Sequence, residues 1–545
     1  MATALQQYLD AAGFSARKPQ VALFEHLITA TSTGVIAQAG TGTGKSAAIL
    51  SAAADRARES KKASIVVTPT LTLMNQYLDG DVPVARKAFE DLKFAELRGK
   101  IHYRCDLSAA SANVVMPGSY VTGCDGYEVG CTMKAYETQE TIYECGYQAA
   151  KLAAMVANVV VTNSDMLIVN DRILRPLGAE IFDPDGSLFV DEAHTLEQKL
   201  RDYASRSIFH KNLEGFSFAG TSGPRLANWL ARQERAMALS ETKGFPMEDL
   251  IHLCSVEMPA PYPGDKLTRQ RQTQEGARRL YAYLQEPHDS AVAYVDDGSL
   301  KLDWINIAAS SRELLTSRSF GLVSATIPKT MASSLGVVEA PFVDVGHPFD
   351  YRKAFIGFSQ YSGSYRDSKV PQNFDIRFQE VEDLIRRAKG GVLMLFSAFS
   401  DMEEAERRLA GVITELGLTW LIQGRETTPT ERQKMAETFK ADGNAILFGS
   451  ASFATGFDVP GNALRCVILW KLPYPSVDPV NKAIMNSNPG KYQDSMTVSA
   501  VQGIGRLIRT TDDTGVVWVA DSRGRRLVNG SDPLTRHLTE FSKLN

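Results

Sequence analysis

Residues Gly34–Ala57 read GVIAQAGTGTGKSAAILSAAADRA, and the fold expected of the whole chain follows from this stretch. A short apolar run, a turn with alternating glycines and an alanine-rich segment predict a buried strand, a tight loop and a helix, in that order. In the loop AGTGTGKS, Gly40, Gly42 and Gly44, with Thr41 and Thr43 between them, would turn backbone N–H groups inward around a phosphate chain. The helix N-terminus adds positive partial charge at the same place. Lys45 would reach the β- and γ-phosphates of ATP, and the Ser46 hydroxyl would sit on Mg2+. Ala39 stands at the first position, where glycine is usual. A glycine-rich turn without a ligand is the bland alternative, and the strand–loop–helix context weighs against it.

Similar apolar runs recur along the chain: SIVVTPT, NVVVTNS, SLFVDEAH and GLVSAT, then GVLMLFS, AILFGS, CVILW and VVWVAD. Continuous runs, rather than alternating ones, are expected of parallel strands buried on both faces. Helix-length segments such as DMEEAERRLAGVITELG lie between them, so the expected class is α/β. The early runs end near Thr326 and the late ones begin near Gly391, which gives two parallel-sheet domains. The first is read in three pieces, 1–79, 151–200 and 319–345, interrupted by insertions at 80–150 and 201–318; the second occupies 346–545.

Two more motifs belong with the phosphate loop. LFVDEAH places Asp191 at the end of a strand, where it would hold Mg2+, and Glu192 beside it to orient and deprotonate an attacking water. QGIGRLIR places Gln502, Arg506 and Arg509 late in the second domain. On a helix the two arginines would share a face. Projected from one domain onto ATP held by the other, they would stabilise charge developing on the transferred phosphoryl group. The alternative is a surface helix with two salt bridges.

At 545 residues the chain is too long for a single core. Its composition, 44% apolar and 22% charged, is that of an ordinary globular protein. The opening MATALQQYLDAAG has neither a basic flank nor an apolar run, so no secretory leader is expected. The most apolar stretch, KLAAMVANVVV, is broken by Lys151 and Asn158 and is too short to span a bilayer. The cytoplasm is the expected place, and thiols stay reduced there. A net charge of −4 neither suggests nor excludes nucleic acid, because threading a single strand needs a basic channel and not a basic whole. One locally basic segment, GDKLTRQRQTQEGARR, is either a solvated helix face or a nucleic-acid contact.

Together these motifs resemble those of superfamily 2 helicases of the DinG/XPD type, over nearly the whole chain. Arg17 and Gln20 in RKPQ look like the family's adenine-recognition motif, and VVTPTLTLMNQ looks like motif Ia. VSAT, with Ser324, Ala325 and Thr326, looks like motif III, and SASFATGFDVPG, with Gly456 and Asp458, is similar to motif V. GHPFDY, Gly346–Tyr351, resembles the SPFDY signature that opens the second motor domain and points to the DinG branch, with His347 where serine is usual. TNSDML has Ser164 where histidine or tyrosine is common, so no role is carried over to Ser164.

The resemblance implies two RecA-like motor domains that clamp single-stranded nucleic acid, close around ATP and move 5′→3′. It implies an iron–sulfur domain between motifs Ia and II and a mostly helical arch between motifs II and III, the places of the two insertions. Some DinG proteins carry an N-terminal exonuclease domain; with the adenine motif at Arg17, none is expected here. The partners implied are single-stranded, forked or R-loop DNA. Two alternatives stand beside this: an accessory helicase recruited to a type IV CRISPR ribonucleoprotein complex, and a P-loop ATPase that remodels without unwinding.

Four of the six cysteines fall in the first insertion, as Cys105, Cys124, Cys131 and Cys145, with 18, 6 and 13 residues between them. Zinc sites usually pair ligands about two to four residues apart. Iron–sulfur clusters tolerate irregular spacing. RGKIHYRC before the first cysteine and CGYQAAKLAAMVANVVVTN after the last resemble the family's flanks, which implies a [4Fe–4S] cluster. Zinc, or no metal, stays open. Cys254 and Cys466 are expected in cores.

Overall fold

The computed structural model describes residues 3–30, 33–103, 146–214, 222–256, 266–285, 290–364, 370–454, 459, 461–530 and 532–544. Seven parallel strands make the first sheet, in the spatial order Phe342–Asp344, Val35–Gln38, Phe320–Ser324, Leu188–Val190, Ser64–Thr68, Val159–Asn163 and Phe94–Leu97. The five inner strands are buried at every position. Helices on both faces leave them no polar side, and this is why they read as unbroken apolar runs. Gln38 pairs with Ser324 and Val190 with Leu322. The C-terminal ends of the strands before the phosphate loop, before SAT and before DEAH therefore emerge side by side.

The helix Lys45–Ser60 lies against this sheet through Ala47, Ala48, Ala52, Ala53, Ala54 and Ala57, all buried. Methyl side chains let its backbone approach closely and leave room for the helices Ala4–Ala12 and Lys18–Ile28 to pack on it.

A second sheet has seven parallel strands in the order Thr419–Ile422, Ala445–Gly449, Val392–Leu395, Cys466–Leu469, Gly515–Val519, Ala354–Phe358 and Ser542–Lys543. Cys466 is 2% exposed within it, a core residue as expected. Cys254 is partly buried and packs against the core of the second insertion. Among the described residues no helix is long and apolar enough to cross a membrane.

Between Arg206 and Trp304 the chain builds a separate antiparallel sheet, in the order Arg206–Phe209, Ser299–Trp304, Ala291–Asp296 and Met237–Ala238. The helices Ser222–Leu230, Met247–Ser255 and Lys266–Gln285 close over it around Ile208, Leu226, Leu230, Leu250, Leu280 and Leu300. Helices outnumber strands among the described residues of this insertion, and the small sheet beneath them is what the sequence reading did not foresee. The signal was present: Asp297-Gly298, with φ of 44° and 65°, forms the two-residue turn between strands that pair from Asp296 with Ser299 outward.

Candidate ATP site and the cleft between the sheets

The strand Val35–Gln38 delivers the loop Ala39–Gly44 to the C-terminal edge of the first sheet. Gly42 and Gly44 have φ of 73° and 82°, backbone that side chains rarely adopt. Ala39 does not share that geometry: it is fully buried, and its N–H donates to the Ser324 carbonyl at 2.9 Å. A methyl group fits there, so the departure from glycine leaves the loop intact. Thr43 closes the turn by donating its hydroxyl to the Gly40 carbonyl at 2.6 Å.

Arg17 and Gln20, expected at adenine, brace this loop. The Arg17 guanidinium donates to the Gly42 carbonyl, and Gln20 Nε2 to the Gly44 carbonyl at 3.2 Å. From the other side comes the linker between the two sheets. Gly40 N–H donates to the Gly346 carbonyl at 3.0 Å, and the Phe349 ring lies against Gly42.

Lys45 starts the helix, and its Nζ lies 3.6 Å from Glu192 Oε1. Asp191 follows the strand Leu188–Val190, and its N–H donates to the Val67 carbonyl at 2.8 Å. Its Oδ2 accepts the Tyr77 hydroxyl at 2.9 Å and its Oδ1 the Glu192 N–H, also at 2.9 Å. Burial, with the neighbouring Glu192 charge, pushes the Asp191 carboxyl up to about 6. Burial alone would raise Glu192 as well. The Lys45 charge, with His194 and the Ser324 hydroxyl, outweighs it and holds that carboxyl well below the usual range.

Buried Asp191 and half-buried Glu192 set two adjacent carboxylates against the Lys45 ammonium, just before the Ser46 hydroxyl in sequence. Such a set fits a hard divalent cation of the Mg2+ kind. Ser46 and Asp191 are the groups that would hold it.

Glu192 also belongs to a relay that leaves the first sheet. Ser324 Oγ donates to Glu192 Oε2 at 3.0 Å, and His194 Nδ1 lies 2.8 Å from Ser324 Oγ. His194 Nε2 in turn meets Gln502 Nε2, from the second domain, at 2.7 Å. An amide nitrogen can only donate, so Nε2 of this histidine accepts and Nδ1 carries the proton. Thr326 N–H also donates to Ser324 Oγ, at 3.1 Å.

Gln502 therefore meets His194 from the second domain. Arg506 and Arg509 depart from expectation in one respect: they do not share a helix face. The helix Pro489–Ile504 stops at Gly505, and both arginines follow it in irregular backbone. Arg509 is close enough to Tyr351 for its charge to act on that phenol, and its N–H donates to Asp513 Oδ2 at 2.6 Å. Gly456 and Asp458 lie outside the described residues, as do Cys105, Cys124, Cys131 and Cys145. Sequence reasoning missed Tyr77, Asp494 and the role of His194. The tyrosine in YLDGD, right after motif Ia, was the available signal.

The DEAD/DEAH box helicase family matches residues 17–99, and the helicase C-terminal domain matches residues 381–535. ATP-dependent DNA helicase YoaA of Escherichia coli (strain K12) is 25% identical, over 94% of this chain and 92% of its own. ATP-dependent helicase DinG of Mycobacterium tuberculosis (strain ATCC 25618 / H37Rv) is 26% identical, over 94% and 91%. Among solved structures, an XPD helicase superposes with a TM-score of 0.60 at 17% identity, covering 97% of this chain and 100% of that one. Xpd4 of S. tokodaii superposes with 0.61 at 15% identity and the same coverage. At that identity the likeness is one of fold.

Proposed function

We propose that this chain, which belongs to the DinG/XPD type of superfamily 2 helicases, couples ATP hydrolysis to 5′→3′ movement along single-stranded DNA and so separates DNA strands. The observation that supports this best is the relay Glu192–Ser324–His194–Gln502. It ties the acid beside the phosphate loop to a group of the other domain. Whatever shifts Glu192 shifts a bond that crosses the cleft.

In this reading Lys45 binds the terminal phosphates, and the loop N–H groups orient them. Glu192, held ionised, accepts a hydrogen bond from the attacking water and then its proton. A Mg2+ ion on Ser46 and Asp191 would supply neutralisation of phosphate charge. Arg506 and Arg509 supply positive charge from the second domain on closure. Arg17 and Gln20 keep adenine recognition in addition to bracing the loop, and Gly456 and Asp458 are proposed to help bind the nucleotide, on the motif V resemblance alone. The four clustered cysteines remain the proposed ligands of a [4Fe–4S] cluster, on the resemblance alone; iron and zinc counts on anaerobically purified protein test it. No feature of the described residues favours a CRISPR-associated role.

Lys45→Ala and Glu192→Gln are each expected to abolish DNA-stimulated ATP hydrolysis while single-strand binding stays measurable. On a fork with a 5′ tail, the unchanged protein displaces the strand and neither variant does. Unwinding retained by either variant overturns the mechanism. Hydrolysis without displacement by the unchanged protein favours the remodelling ATPase, and displacement only from a 3′ tail reverses the polarity.

A further inference from the structure

The strand Val35–Gln38 ends on a side chain that the mechanism above does not use. Gln38 is 5% exposed and stands immediately before Ala39, where the phosphate loop begins. An amide buried this deeply is costly unless both of its ends are paired. Here both are. Its Oε1 accepts the Ile327 N–H at 3.3 Å, and its Nε2 donates to the Pro533 carbonyl at 3.0 Å. These partners also fix which end is which. Turned over, the amide would set N–H against N–H and carbonyl against carbonyl.

The two partners belong to different domains. Ile327 lies in the loop that leaves the strand Phe320–Ser324, shortly after the serine whose hydroxyl donates to Glu192. Pro533 opens the 3-10 segment Pro533–Glu540, whose Leu538 sits with Phe541 in the core of the second domain. The residues that follow, Ser542 and Lys543, pair with Phe355 and Ile356 of the second sheet. The same two loops meet a second time, with Lys329 Nζ 3.4 Å from Asp532 Oδ2. A residue further on, Thr330 gives its N–H and its hydroxyl to Asp494 of the helix Pro489–Ile504, each at 2.8 Å. One side chain thus joins the residue before the phosphate loop, the loop after Ser324 and the second domain. This bridge does not pass through His194 or Gln502. A bond made in one arrangement of two domains and broken in another is what coupling between them requires.

We infer that Gln38 is a positioning residue that couples the phosphate loop to the second domain, with Ile327 holding its carbonyl end and Pro533 its amide end. The inference rests on the ATPase reading above, and its test keeps the two apart. Two quantities are measured on the full chain in Mg2+: binding of fluorescent mant-ADP, and kcat of DNA-stimulated ATP hydrolysis. Gln38→Glu keeps an acceptor for Ile327 and loses the donor to Pro533. It is expected to lower kcat about fivefold, as the loss of one hydrogen bond implies, while mant-ADP binding stays within about twofold. Gln38→Met, of similar size, loses both bonds and should lower kcat further than Gln38→Glu does. A merely structural role would lower binding and kcat together in Gln38→Glu, and that result overturns the inference; so does an unchanged kcat. Should Gln38→Glu fail to fold, Gln38→Met decides, since its kcat must fall by more than its mant-ADP binding. If the unchanged chain binds no mant-ADP and hydrolyses no ATP, the ATPase reading falls and takes this inference with it.

Discussion

Glu192 has φ of 47°, one of four described non-glycine residues with positive φ. That backbone costs about 1–3 kcal/mol and persists only where its surroundings hold it. Here they do: Lys45, Ser324 and His194 all converge on the carboxylate. The Thr195 N–H and hydroxyl take the Glu192 carbonyl at 3.0 and 2.9 Å. Glu192→Gln is therefore the right probe of chemistry, because it keeps the shape that the strain has set. Gly42 shows the opposite case. A Cβ there would lie 2.1 Å from the Phe349 ring, on backbone with φ of 73°. Gly42→Ala is expected to weaken mant-ADP binding about 10-fold or more, as strain of about 1–3 kcal/mol implies. Adding Phe349→Ala relieves the clash but not the backbone, so recovery is partial; full recovery would show that sterics alone mattered. At this scale the meeting of Lys45, Asp191 and Glu192 was legible, because their proposed roles follow from neighbours in sequence. Tyr77 was not, since no local pattern says that its hydroxyl meets Asp191.

The helix Pro489–Ile504 couples the domains along its whole length. Near its start Lys491, 8% exposed, pairs with Glu197 from the helix after DEAH and donates to the Ile305 carbonyl at 3.2 Å. Asp494 accepts both the N–H and the hydroxyl of Thr330, each at 2.8 Å. Near its end Gln502 meets His194. Gln502→Ala and His194→Ala are each expected to lower kcat of DNA-stimulated hydrolysis roughly fivefold, on the order of 1 kcal/mol. Because they break the same relay, the double variant should lose little more than either single one. Steady-state rates decide it, and additive losses would show two independent roles. Glu197→Ala strands the Lys491 ammonium near Arg201, and burial already pushes that lysine down. The loss is expected to be about 3 kcal/mol, seen as a lower Tm. That QGIGRLIR is not all helix was hidden from sequence because the spacing of its residues suits one. Packing explains the glycines: a Cβ at Gly503 would lie 2.9 Å from Leu395 and 3.2 Å from Leu469, and Gly505 takes the C-cap.

Over the whole molecule the two sheets are tied by the linker Gly346–Tyr351 and by the C-terminal 3-10 segment Pro533–Glu540. Gln38 Nε2 donates to the Pro533 carbonyl at 3.0 Å, and His537 packs with His347 and Tyr351 beside the phosphate loop. Burial first, and then the charge of His347, holds the His537 imidazole down to about 3. The unfolded chain takes up that proton first, near the ordinary value of 6.5, so the contribution is present above about 6.5 and is lost as pH falls from there toward 3. His537→Gln should therefore flatten the fall in Tm between pH 7 and pH 5; an unchanged slope would assign the acid loss to other groups. The proposed function carries an expectation of strand affinity at this scale. That affinity is expected to fall with salt, linearly in log–log form, and to vary little with base sequence; a flat salt response would remove the phosphate grip. The order of amino acids by itself determined the local units: which runs are strands buried on both faces, where the phosphate loop turns, and which acids end a strand. Each depends on residues within a few positions of one another. The tertiary structure decided which strands are neighbours, so that Val35–Gln38 pairs with Phe320–Ser324 far along the chain. It decided that a hairpin sheet stands among the helices of the second insertion, and that Tyr77 meets Asp191. Crossover connections let strands distant in sequence become neighbours in space, and only that packing brings the hydroxyls, carboxylates and histidine of this site within reach of each other.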